Sequence, residues 1–314
     1  MIQNILVPLD GTPLAEAALP FASAIAARAG ARLTLVRTAM YRTMFSDVAE
    51  EQMRALRCGE DYLVSLAVDL RAKGVPVDTR VPVGGSPTEW IVEESEFVGV
   101  DLTVMATHDR GGPDRWLHGS VAEAVVRRST IPVMLVKGTA DGQLAQRFEV
   151  GNPVLIVPLD GSDLADGALP AAAELASATG ARIILVAVVP KPGQLVAGQG
   201  GAIVTFTGSD HTALQTEAGG YLETRAALMT EVTGVETIVR YGAAAAEISA
   251  VADECSAAAV VMATHGRTGP IRSMLGSVAG KVVHGASVPV VLIHPSEVQP
   301  IKPLTREALL GPVN

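Results

Sequence analysis

Apolar positions along the chain alternate between two patterns. Short, nearly continuous runs rich in Val, Ile and Leu read as buried parallel strands: Asn4 to Asp10, Arg32 to Thr38, Val75 to Val83, Val100 to Thr107 and Ile131 to Lys137. Between them, apolar residues recur at helical spacing. An Ala-rich helix is expected from Pro13 to about Ala29, a long amphipathic one from about Asp47 to Lys73, another from Ser86 to Val98, and a last one from about Ser120. Thr12 is placed to cap the first helix with Pro13 at its first position, and Gly30 and Gly74 stand where helices stop. Five strands with intervening helices imply right-handed crossovers and a doubly wound parallel sheet.

The pattern then repeats. Pro8 and Pro158, Asp10 and Asp160, Leu19 and Leu169, and Arg32 and Arg182 differ by 150 positions; Gly119 and Gly276, Ser120 and Ser277, and Pro132 and Pro289 differ by 157. A whole domain is duplicated, with a small change of length in the middle. The expectation is two tandem five-stranded α/β domains, each with flavodoxin-like strand order 3-2-1-4-5 and helices on both faces. The boundaries read as residues 1–138, a polar linker over 139–152, a second domain over 153–296 and a tail over 297–314 with a helical hint at Thr305 to Leu310. In the second copy Ser162 enters the first helix, and the glycine-rich stretch from Pro190 to about Asp210 reads as a long loop, either a lid or a plain connection.

Composition narrows the class. Nearly half of the residues are apolar but aromatics are scarce, which suits helices packed on a parallel sheet. A net charge of -9 argues against a general nucleic-acid or anionic-membrane binder. Cys58 and Cys255 occupy unrelated positions in the two copies and read as reduced thiols, and no His/Cys spacing suggests a protein metal site. The N-terminus has no basic segment followed by a cleavable apolar stretch, so a cytoplasmic location is expected.

The candidate chemistry sits in VMATHGRTGPIRSMLGSVAGKVV, from Val261: an apolar strand, a loop with Gly266 and Gly269, then a helix start at Gly276-Ser277. Glycines let backbone approach a ligand, and the free N–H groups of a first helical turn favour an anion. The same device occurs as VMATHDRGGPDRWLHGSVAEAVV from Val104. His108 and His265 invite a catalytic reading, but no nucleophile is spaced with either, so each is read as a strand-end histidine bonding to backbone. Trp90 and Trp116 are read as packing or interface residues, and Asp10 and Asp160 could simply cap the helices that follow them.

PLDGS after a first strand, with A-T-H-G, nine residues and G-S-V, resembles the universal stress protein family, and the duplication resembles its tandem members. The resemblance implies adenine-nucleotide binding, with ATP, ADP or AMP as ligand and Mg or Mn arriving with the phosphates. Carried onto the second copy, it places Pro158, Asp160 and Val188 at the adenosine and Ala263, Gly266, Gly276, Ser277 and Val278 around the phosphates; Ala263 replaces the family's first glycine. On the first copy it points to Pro8, Asp10, Thr38, Ala106, Gly119, Ser120 and Val121, but Asp109 replaces the second glycine. A carboxylate about 4 Å from a phosphate would oppose it by about 4 kcal/mol before screening, with Arg110 and Arg115 offsetting part. The resemblance further implies that the last strands, Pro132 to Val136 and Pro289 to Ile293, join the two domains around a pseudo-twofold, and it allows a homodimer. Three functions stay open: a nucleotide-dependent regulator, a slow ATPase for which only Arg267 and Arg272 stand near the phosphates, and a ligand-free scaffold.

Overall fold

The computed structural model describes residues 1–40, 48–97, 99–107, 121–138, 142–191, 195–197, 203–205, 208–265 and 275–294. The first half runs β1 (Asn4–Pro8), α1 (Pro13–Glu16), α2 (Leu19–Ala29), β2 (Arg32–Val36), α3 (Val48–Ala72), β3 (Val77–Arg80), α4 (Pro87–Phe97), β4 (Leu102–Thr107), α5 (Val121–Arg128) and β5 (Val133–Lys137). After α6 (Gly142–Glu149), the second half runs β6 (Val154–Pro158), α7 (Asp163–Asp166), α8 (Ala168–Thr179), β7 (Arg182–Val189), β8 (Leu195–Ala197), β9 (Ile203–Thr205), α9 (Gly208–Leu228), β10 (Val235–Tyr241), α10 (Ala244–Glu254), β11 (Ala259–Ala263), α11 (Ser277–Gly285) and β12 (Val290–Ile293).

The strands form one ten-stranded sheet in the order β3-β2-β1-β4-β5-β12-β11-β6-β7-β10. Each half therefore has the expected 3-2-1-4-5 order. All neighbours are parallel except at the centre, where β12 runs antiparallel to β5 with Val290 opposite Leu135, Val291 opposite Met134 and Leu292 opposite Val133. Strand parity divides the core into two layers. Ile5, Val7, Leu155 and Val157 face one layer, with Phe21, Leu63 and Phe148; Leu6 and Ile156 face the other, with Ile91, Val125, Ile248 and Val282. Both layers contain residues of both halves, so the apolar core is continuous across the central seam.

Three local details depart from the pattern read along the chain. The single helix expected from Pro13 is two, α1 and α2, and the second half repeats the break as α7 and α8. Pro20 and Pro170 explain it: a proline ring clashes with the carbonyl four residues back, and α1 and α7 end at those residues, Glu16 and Asp166. The segment expected to be a polar linker contains α6, whose Ala145 and Phe148 are buried. It packs against α2, and Arg147 Nη1 donates to the Ala257 carbonyl at 2.7 Å. The long loop after β7 contains β8 and β9, an antiparallel pair flanking Gly198 to Gly201. The tail beyond Ser296 lies outside the described residues.

The same polar device ties the first turn of each half to its long helix. Tyr62 on α3 donates to Glu16 Oε1 at 2.8 Å, with the Arg37 guanidinium 4.8 Å from the ring centroid. Tyr221 on α9 donates to Asp166, which also accepts from Arg225 Nε at 2.8 Å and Nη2 at 2.7 Å. Burial, and then the carboxylate bond, push both phenols above their ordinary value.

Candidate functional site

In each half the first and fourth strands are neighbours whose chains leave toward opposite faces of the sheet, which opens a crevice beyond their carboxyl ends. In the second half, β6 ends at Pro158 and Asp160 organises the turn that follows. Its Oδ1 accepts from Ser162 N at 3.0 Å and Ser162 Oγ at 2.6 Å, while Ser162 Oγ accepts from Ala165 N at 3.2 Å and so caps α7. Asp10, Thr12 and Ala15 repeat this arrangement in the first half, with Thr12 as the cap. The turn-capping role weighed for both aspartates is therefore present, and each aspartate also lines the cavity of its half.

Across the crevice, α11 starts without a side-chain cap. Gly276 holds the N-cap position and donates its N–H to the Thr264 carbonyl at 2.8 Å. A Cβ built on Gly276 would lie 3.0 Å from that carbonyl oxygen and 3.5 Å from the His265 Cα. Glycine is thus what lets the helix start sit directly against the end of β11. The result is a first turn whose Ser277, Val278 and Ala279 line a cavity, with no side-chain cap from the N-cap residue itself.

That cavity measures about 110 Å³. Pro158, Asp160, Val188, Ala263, Gly276, Ser277 and Val278, all named from the sequence, line it together. Gly266 lies outside the described residues, as do Arg267 and Arg272. Val186, Ile248 and Met262, which were not singled out from the sequence, add apolar lining to the same cavity. Ile248 and Met262 match Ile91 and Met105 at the 157-residue offset, so the repeat itself carried that signal. His265 also lines the cavity; it is buried, with Nδ1 3.1 Å from Thr264 Oγ1. Burial, and then the charge of His265, hold the His294 imidazole below its usual value.

The first half has a cavity of about 960 Å³ in the corresponding place. Pro8, Asp10, Thr38, Ala106 and Val121 line it, whereas Gly119 and Ser120, like His108, Asp109, Arg110, Arg115 and Trp116, lie outside the described residues. This cavity reaches farther, past the end of β2 to α3, where Arg37, Glu51, Arg54 and Cys58 join the lining. Trp90 stands apart: its Nε1 donates to the Gly84 carbonyl at 2.6 Å, a packing role. Cys58 and Cys255 are free thiols. Among the described residues no group of three or more His, Cys, Asp or Glu could hold a metal ion, and no helix is long and apolar enough to cross a membrane.

Fold and site together define a duplicated, doubly wound α/β protein with a strand-end crevice in each half. The chain belongs to the universal stress protein family, whose sequence model matches residues 1–137 and again residues 153–294. A universal stress protein of Mycobacterium bovis is 31% identical over 242 residues, covering 74% of this chain and 76% of its own length. A putative universal stress protein of Staphylococcus epidermidis is 34% identical over 140 residues, covering 43% of this chain and 84% of its own. Among solved structures, a universal stress protein from Archaeoglobus fulgidus superposes with a TM-score of 0.65 at 20% identity, covering 93% of this chain and 96% of its own, which supports the fold.

Proposed function

We propose that this protein is a regulatory stress-response module that binds an adenine nucleotide, with ATP as the reference ligand, in the crevice of its second half. One observation carries the reading: Gly276 brings an uncapped helix start against the end of β11, where an added Cβ would meet the Thr264 carbonyl at 3.0 Å. Such a start offers amides to a phosphate group without needing a basic surface. The apolar slot of Val186, Val188, Ile248 and Met262 suits a purine ring, and Asp160 is at hand for ribose or base donors. A divalent cation, Mg or Mn, would enter with the phosphates rather than on a preformed protein site. At about 110 Å³ the cavity is smaller than typical small-molecule clefts, so nucleotide entry requires its walls to part.

Calorimetric titration of the full chain with ATP tests this. Saturable binding, a rise in melting temperature with ATP, and a loss of affinity of tenfold or more in Gly276→Ala support it. No heat and no shift in melting temperature would leave the scaffold reading instead. Phosphate release that Gly276→Ala abolishes would favour the ATPase.

A further inference from the structure

The two cavities share an apolar frame but carry charge at opposite ends. In the second half the favourable end for an anion is the start of α11, whose first turn has no acidic residue. In the first half the equivalent turn of α5 contains Glu123, a carboxylate only 3% exposed, where the second half has Gly280. A side chain there, where the second half has only glycine, makes the two helix starts unequal.

The positive charge of the first cavity is elsewhere. Arg37, just past β2, lines it, where the second half has Ala187. Its guanidinium stacks 4.8 Å over the Tyr62 ring, and Tyr62 is fixed by its bond to Glu16. It also lies directly above Gly11, where a Cβ would come within 3.0 Å of Arg37 Nη2. A half-buried guanidinium held in this way is pre-organised for a carboxylate. Arg54 stands beyond it on α3, while Glu51 and Asp10 on the same walls keep the cavity near neutral overall, which disfavours a polyanion. The rest of the lining is mostly apolar, including Leu14, Val36, Ile91 and Met105, and about 960 Å³ is ample for a drug-sized molecule.

We propose that the first-half cavity binds an amphipathic organic monocarboxylate, its carboxylate at Arg37 and its apolar body against Val36, Ile91 and Met105. This ligand differs from the nucleotide assigned to the second half, and one chain holds both at once. The test titrates full-length protein with decanoate, with the neutral decanol, and with decanoate in saturating ATP. The expected result is one decanoate per chain, undisturbed by ATP, with decanol weaker. Arg37→Met keeps the apolar stem and should cut decanoate affinity about tenfold while sparing decanol. Ala55→Trp, which fills the α3 end of the cavity, should weaken both ligands while ATP binding is unchanged. The proposal is overturned if decanoate shows no saturable binding, if Arg37→Met weakens decanoate and decanol equally, or if ATP displaces decanoate. Loss of ATP binding with decanoate binding intact would instead count against the nucleotide reading of the second half alone.

Discussion

Single residues govern both crevices by what they leave out as much as by what they add. Gly276 matters because it has no side chain: Gly276→Ala should destabilise the fold by about 1–3 kcal/mol, measured by denaturant titration, because backbone cannot yield as a side chain can. Asp166 matters because its charge is buried and answered by Tyr221 and Arg225. Asp166→Ala leaves Arg225 without that partner and should cost about 3 kcal/mol, against about 1 kcal/mol for Tyr221→Phe. His294 gives the protein a pH dependence whose sign follows from its environment. Folding lowers its affinity for a proton from the ordinary value of 6.5, so the unfolded chain binds the proton more readily. Stability should therefore be at its plateau above that value, fall as the pH drops through it, and level off below the depressed folded value. Urea titrations of His294→Gln across this range should show a flatter profile than the parent. Asp160 was named through the family resemblance, while spacing along the chain singled out Gly276, since a strand, a glycine loop and a helix start are local features. It did not reveal Arg37, whose meaning depends on Tyr62 and Gly11 being folded around it.

At the level of elements, periodicity located the strands and helices, and local chemistry set their ends. Thr12 and Ser162 cap α1 and α7 as the turn chemistry requires, and Pro20 and Pro170 split what the apolar pattern alone reads as one helix. The clearest departure is α6. Its few apolar positions in a polar stretch read as a connection, yet Phe148 is fully buried against the layer containing α2. Arg28 on α2 reinforces the same corner, donating from Nε to the Thr179 carbonyl at 2.9 Å and from Nη2 to the Gly151 carbonyl at 2.8 Å. Phe148→Ala should lower stability by about 3–5 kcal/mol in chemical denaturation, whereas a true linker position would tolerate it. The pair β8 and β9 escaped notice for a related reason: two three-residue runs around glycines are weak evidence until they are seen paired.

For the molecule as a whole, the antiparallel junction of β5 and β12 decides the architecture. It joins two parallel sheets into one and merges their cores. Lys137, at the end of β5, donates to the His284 carbonyl at 2.7 Å in the last turn of α11, so the first half caps the helix whose start forms the second crevice. Heating should therefore unfold both halves in a single calorimetric transition, with a ratio of calorimetric to van't Hoff enthalpy of about one. Two resolved transitions would show that the seam is too weak to couple them.

Crevice residues such as Pro158, Asp160 and Val188 were named through the family resemblance, whereas alternation of strand and helix, the duplication and the doubly wound arrangement were readable from residue spacing. Those features arise from interactions within one repeat, where neighbours in space are neighbours in a regular pattern. The unequal size of the two cavities and the buried role of α6 were not readable, and the seam of β5 with β12, which the structure bears out, was expected from the family resemblance and not from spacing. Each depends on how side chains far apart in the chain are brought face to face, and two copies with the same periodicity can differ there through a few substitutions, such as Arg37 for Ala187 and Glu123 for Gly280.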